Sequence, residues 1–159
     1  FNELATTSEK YFIPYIQQYM QVGKGTNVLE IGCGDGGNLL PFSRMGCNVV
    51  GVDMAKGRIR DARKFFQENG AKGRFIASNV FLVKELKYQF DLIVCHDVIE
   101  HITDKEGFMR KCKQLLKYRG GDFNVLSCVA NAIRWASANM QKSLPIVFAF
   151  LPPASNSIV

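Results

Sequence analysis

Glu30, the glycines at 32, 34, 36 and 37, and Asp53 are the residues of this 159-residue chain whose types and spacing carry chemistry. The stretch Val28-Leu-Glu-Ile-Gly-Cys-Gly-Asp-Gly-Gly37 reads as an apolar strand that breaks into a glycine-rich turn and then opens a helix. Glycine permits positive φ and lets a ligand approach the main chain with no Cβ in the way. A second apolar run, Asn48-Val-Val-Gly-Val-Asp53, ends in a carboxylate. That carboxylate is placed to accept two hydrogen bonds from a ribose diol, as in nucleotide-binding α/β folds. The chemistry implied is the binding of a molecule built on adenosine.

Glu30 narrows the choice of ligand. A dinucleotide site wants G-x-G-x-x-G with a helix N-terminus facing a pyrophosphate. Here Gly36 crowds the third glycine of that fingerprint, at 37, and Glu30 lies on the strand two residues before the first glycine. An acidic side chain there repels a pyrophosphate and suits a cationic ligand, which disfavours a nicotinamide oxidoreductase.

These residues need a scaffold, and the pattern around them supplies one. Helical spacing of Tyr11, Phe12, Tyr15, Ile16, Tyr19 and Met20 predicts a helix over 6–22, opened by Thr7 or Ser8 as a cap. Strands follow at 27–31, 48–52, 74–77, 90–95 and 123–128, with helices at 37–45, 56–69 and 104–117 between them. Strands alternating with helices of this length imply βαβ units and a parallel sheet. A helix over 130–142 and an apolar run to 150 complete the reading, and 154–159 carries no fold signal. The chain reads as an N-terminal helical segment at 1–24, a candidate lid with an ordinary core-packing helix as the alternative, and a single ligand-binding domain at 25–159. The fold class is α/β: a Rossmann-like three-layer αβα sandwich with a mainly parallel sheet, whose completeness at the C-terminal edge the sequence leaves open.

Together the motifs resemble the class I S-adenosylmethionine-dependent methyltransferases. Glu30-Ile-Gly-Cys-Gly-Asp-Gly36 looks like their first motif, and four segments fall in the family's order over residues 25 to 121. The fourth, Phe90-Asp-Leu-Ile-Val-Cys-His96-Asp97-Val98-Ile99-Glu100-His101-Ile102, is similar to the post-strand motif of the ubiquinone-biosynthesis and family-11 members. The resemblance implies S-adenosylmethionine as cofactor and S-adenosylhomocysteine as product. It sets Glu30 near the methionine ammonium and runs the backbone of Gly32, Cys33 and Gly34 beside the methionine moiety. It gives Asp53 the ribose hydroxyls, Met54 the adenine face, and His96, Asp97 and Val98 the cofactor edge beyond strand four. Asn79 and Val80 follow the third strand, where the family often has an aspartate for the adenine amino group. The Asn79 amide oxygen can accept the same bond, and a loop-capping role is the alternative. The resemblance also implies an antiparallel strand pair closing the sheet, and its usual Pro-Gly-Gly turn appears as Tyr118-Arg-Gly-Gly121.

Methyl transfer from a sulfonium is an in-line displacement dominated by positioning. A hydroxyl acceptor needs a base, for which His96 and His101 are the candidates. Asp97, Glu100 and His101 have i, i+3, i+4 spacing, which on a helical turn gathers two carboxylates and an imidazole on one side. They are the weak candidates for a divalent metal, and the expectation is that none is used. The acceptor implied is a small molecule methylated at oxygen. The Asn/Asp-Pro-Pro-Tyr/Phe motif of nucleic-acid amino-group methyltransferases is absent after strand four, which argues against base methylation. Two alternatives stay open: a non-catalytic S-adenosylmethionine-binding module that needs a partner, and an RNA- or protein-modifying methyltransferase.

The net charge of +6 gathers in Lys56, Arg58, Arg60, Arg63 and Lys64 and in Lys105, Arg110, Lys111, Lys113, Lys117 and Arg119. Both sets fall on predicted helices, so solvated helix faces are favoured over a nucleic-acid surface. Hydrophobic residues make up 47% of the chain and charged ones 21%, the balance of a soluble domain. No signal peptide is read at the start and no stable membrane insertion is expected, because the apolar run at 144–152 is too short to span a bilayer. Cysteines at 33, 47, 95, 112 and 128 form no C-x-x-C pair, which places the chain in a reducing cytoplasm. Oligomeric state is not legible.

Overall fold

The computed structural model describes residues 2–18, 20–83, 86, 89–117, 125–128 and 146–148, the last two segments as backbone. Six strands form one sheet in the order β3-β2-β1-β4-β5-β6. They are β1 (Asn27–Ile31), β2 (Asn48–Asp53), β3 (Arg74–Ala77), β4 (Leu92–His96), β5 (Val125–Cys128) and β6 (Ile146–Phe148). Every pairing is parallel; β1 runs beside β2 with Glu30 opposite Gly51, and beside β4 with Glu30 opposite Val94. The resemblance implied an antiparallel closing pair, but β6 runs parallel to β5. The expected helix over 130–142, the turn at 118–121 and the tail at 154–159 lie outside the described residues.

Burial of both sheet faces explains why β1 and β4 read as near-continuous apolar runs. Side chains alternate across a strand, and the two faces bury separate clusters. Val28, Val49, Leu92 and Val94 pack under Ala5, Phe12, Ile13 and Ile16 of the N-terminal helix, Leu39, Leu40 and Phe42 of α3 (Leu39–Arg44), and Ile59, Ala62, Phe65 and Phe66 of α4 (Lys56–Glu68). On the opposite face Leu29, Ile31, Val52, Ile93 and Cys95 pack under Phe108, Cys112 and Leu115 of α5 (Lys105–Leu115). Two helical layers over a parallel sheet make the three-layer sandwich. The Asp104 side chain caps α5 by accepting the Gly107 N–H at 2.8 Å.

Two boundaries differ from expectation for identifiable reasons. The N-terminal helix begins at Asn2 and runs through α1 (Asn2–Thr7), a π-helical turn (Ser8–Phe12) and α2 (Ile13–Ile16). Thr7 is itself helical and makes no side-chain cap bond, and the Ser8 hydroxyl donates instead to the Asn38 carbonyl at 2.9 Å. The widened turn lies just before Pro14, which lacks the N–H and crowds the carbonyl four residues back. Strand four starts at Leu92 because Asp91 is occupied otherwise: its Oδ2 accepts the Asn27 N–H at 2.9 Å and the Lys117 Nζ at 2.8 Å. Phe90 forms only an isolated bridge to Leu116.

The chain builds β1 to β3 outward and then returns to the other side of β1 with β4. The crevice beyond the carboxyl ends of β1 and β4 is the switch point where open parallel sheets bind ligands. Asp53 and His96 are the last residues of β2 and β4 at this edge, and Glu30 is the last but one of β1.

Candidate functional site

The glycine turn is held close to the sheet. Gly32 and Cys33 both donate their N–H groups to the Val52 carbonyl, at 2.8 and 3.2 Å. Gly32 has φ +72°, and a Cβ there would overlap the Cγ2 of Val98. A Cβ on Gly51 would lie 2.6 Å from the Cys33 sulfur. Only glycine fits at either place, so the loop after β1 and the segment after β4 close on one another. Gly34 donates its N–H to Asp53 Oδ2 at 2.9 Å, and Asp53 Oδ1 accepts the Ala55 N–H at 2.8 Å. The carboxylate thus ties the glycine loop to the start of α4. Each oxygen keeps a free lone pair, and the half-buried side chain is reachable from the edge. Beside it Met54, the residue after β2, is an apolar side chain 73% exposed.

Glu30 is 1% exposed. Its Oε1 accepts the Asn38 side-chain N–H at 2.7 Å, while its Oε2 and the Asn38 Oδ1 are buried with no hydrogen-bond partner. Burial pushes the Glu30 carboxyl up to about 8; the Asn38 bond opposes the rise and the Asp53 charge adds to it. With Glu30 ionised these are two buried acceptors without donors, a cost of about 1–3 kcal/mol each. An ammonium, with several N–H donors and a positive charge, is the ligand chemistry that would satisfy them. Burial, with Glu30 and Asp53 nearby, drives the Cys33 thiol far up, so it is a neutral packing group and no nucleophile.

Asn38 and Ser8 are functional candidates that sequence reasoning missed. Both stand where helix caps are expected, and neither caps: the Asn38 side chain goes to Glu30 and the Ser8 hydroxyl to the Asn38 carbonyl. The signal available was an asparagine eight residues after the strand carboxylate, at the mouth of a helix.

At the end of β3, Asn79 Oδ1 accepts the Phe81 N–H at 3.0 Å and caps a short 3₁₀ turn, Val80–Leu82, in which Val80 is buried. The loop-capping alternative is therefore realised, with one lone pair of the amide oxygen left over. At the end of β4 the His96 ring rests on Phe12, centroids 5.5 Å apart and tilted by 56°. His96 Nε2 lies 3.6 Å from Asp97 Oδ2, an ion-pair distance beyond hydrogen bonding. Asp97 has φ +52°, a left-handed conformation uncommon outside glycine. The chain then enters a 3₁₀ turn, Ile99–His101, with Glu100 and His101 exposed. That geometry overturns the one-sided helical turn inferred from the spacing of Asp97, Glu100 and His101. Among the described residues no three His, Cys, Asp or Glu side chains are placed to hold a metal ion.

The edge therefore gathers the buried Glu30, the 32–34 loop, Asp53 and Val98, with His96 at the end of β4 and Met54 and Asn79 just beyond the ends of β2 and β3. His101 stands farther out on the 3₁₀ turn.

Comparison with known proteins gives a consistent picture. A family model described as a methyltransferase domain matches residues 23–148. A ubiquinone biosynthesis O-methyltransferase of Dinoroseobacter shibae is 34% identical over 97 residues, 61% of this chain and 39% of that protein. The chain thus spans about two fifths of the length of that relative. A SAM-dependent methyltransferase structure from Aquifex aeolicus superposes with a TM-score of 0.60 at 18% identity, covering 70% of this chain and 62% of that one. Magnesium protoporphyrin IX methyltransferase from Synechocystis PCC 6803, with bound SAH, gives 0.60 at 19% identity over 70% of this chain and 51% of that one. At these identities the two structures speak for the fold.

Proposed function

The chain belongs to the methyltransferase domain family, and on that premise we propose that it binds S-adenosylmethionine and transfers its methyl group to an oxygen of a small acceptor. The observation that carries the cofactor is the buried Glu30 carboxylate with one unpartnered oxygen beside a cradle that only glycine fits. S-adenosylmethionine brings an ammonium at one end, a ribose diol at the other and an activated methyl on a sulfonium between. Glu30 holds the ammonium, with Asn38 steadying its carboxylate. The Gly32–Cys33–Gly34 backbone follows the methionine moiety, Asp53 takes the ribose hydroxyls, and Met54 covers the adenine. Asn79 and Val80 border the adenine, and Asp97 and Val98 border the cofactor on the β4 side.

The protein's part in the chemistry is alignment and exclusion of water. His96, at the end of β4 against Phe12, is the better placed base for the acceptor proton, because His101 lies exposed beyond it. Oxygen as the acceptor atom is supported by relatives named as O-methyltransferases. No metal enters this account. Among the described residues no helix is long and apolar enough to cross a membrane, and Cys33, Cys47, Cys95 and Cys112 are buried thiols outside any disulfide. A reducing cytoplasm suits both.

The test is transfer of labelled methyl from S-adenosylmethionine to a panel of small hydroxylated aromatics, matched amines and short RNA. Label on oxygen supports the proposal. Label on amines or RNA alone overturns the oxygen acceptor. Cofactor binding with no transfer to any acceptor indicates a binding module that needs a partner.

A further inference from the structure

Three side chains from three parts of the chain meet in one buried run. Ser8, from the π turn of the N-terminal helix, is fully buried and donates to the Asn38 carbonyl; Asn38, 4% exposed, donates its side-chain N–H to Glu30. None of this is needed for the helix starts, since neither Ser8 nor Asn38 caps one. An apolar residue at 38 would fill the same core, which is lined by Leu39, Leu40 and Phe42, without leaving Asn38 Oδ1 unpartnered. Resting on the cofactor reading above, we propose that Asn38 is a positioning residue: its amide aims the Glu30 carboxylate at the amino-acid end of the cofactor, and its carbonyl links that grip to the seating of the N-terminal helix through Ser8.

The consequence is a split between the two ends of the ligand. The Asn38 bond acts at Glu30, so it affects ligands that carry the ammonium and spares those that do not. Ser8 acts only through the main chain of residue 38, so its loss adds little once the Asn38 amide is gone. Asn38 also favours the ionised form of Glu30, and only that form attracts an ammonium. The charged and titratable groups around Glu30 are Asp53 at the end of β2 and the Cys33 thiol. From the N-terminal helix Ser8 reaches the Asn38 carbonyl and Phe12 the His96 ring, and neither side chain carries a charge. From β4 the register partner is Val94, with His96 two residues on.

The experiment is calorimetric titration of the full chain with S-adenosylhomocysteine and with 5′-methylthioadenosine, which lacks the amino-acid end, at several pH values. Variants are Asn38→Leu, Ser8→Ala and the pair. Asn38→Leu is expected to weaken S-adenosylhomocysteine roughly tenfold or more, the scale of a hydrogen bond to a charged group, and methylthioadenosine by less than about twofold. The rise of S-adenosylhomocysteine affinity with pH should move to higher pH in the variant. Ser8→Ala should give a smaller loss in the same direction and no further loss on top of Asn38→Leu. Equal losses for both ligands, or an unmoved pH profile, would overturn the proposal. Should Asn38→Leu not fold, Ser8→Ala alone decides by the same ligand split. If the unmodified chain binds neither ligand, the cofactor reading itself fails, which is a separate result.

Discussion

Gly32 and Val98 touch across the sheet edge so closely that a β-carbon on the glycine would overlap the valine methyl. This contact joins the loop after β1 to the segment after β4 and fixes the width of the crevice between them. Gly32→Ala must therefore pay for both a left-handed alanine and a displaced Val98. The expected cost is about 2–4 kcal/mol of stability, with cofactor affinity falling as well. Thermal unfolding with and without S-adenosylhomocysteine measures both, and a Gly32→Ala protein that melts and binds as the parent does would refute the contact.

Glu30 gives stability a pH dependence with a definite sign. Its carboxyl is raised from 4.5 to about 8 by burial, so between those values the folded chain keeps a proton that the unfolded chain releases. Folding stability is then lost as pH rises through this window, by an amount on the order of 3–5 kcal/mol. Glu30→Gln cannot ionise and should lack this decline while losing affinity for the ammonium end of the cofactor. Urea unfolding from pH 5 to 8.5 checks it; parallel curves for the two proteins would show that Glu30 is ionised throughout.

The two histidines should separate cleanly in turnover. His96 is packed on Phe12 at the end of β4, and His101 is exposed on the following turn. For a hydroxyl acceptor, His96→Ala should lower kcat by roughly 10²–10⁴-fold, the usual contribution of a positioned base. His101→Ala should leave it within about threefold. The reverse order would move the acceptor to the outer turn.

Much of this site could be read along the chain because its parts are local. The β1–glycine turn–β2 unit and its terminal Asp53 lie within 27–53, and β3 falls at 74–77 as predicted, since strand periodicity and glycine punctuation act over a few residues. What could not be read depends on distant partners. Ser8 reads, with Thr7, as a candidate cap because its acceptor, the Asn38 carbonyl, lies 30 residues away. Asp91 delays β4 through Asn27, 64 residues earlier. The helical spacing of Asp97, Glu100 and His101 failed at one backbone angle, the positive φ of Asp97, which residue type does not announce.

Whether the edge formed by β1, β2 and β4 holds S-adenosylmethionine is decided by calorimetric titration with S-adenosylmethionine, S-adenosylhomocysteine and NAD⁺. The parent chain should bind the first two and not the third. Asp53→Ala removes the acceptor of both the Gly34 and Ala55 N–H groups as well as the proposed ribose partner, and should weaken binding at least tenfold while the chain remains folded. Preference for NAD⁺, or equal binding of S-adenosylmethionine by parent and variant, would contradict the account.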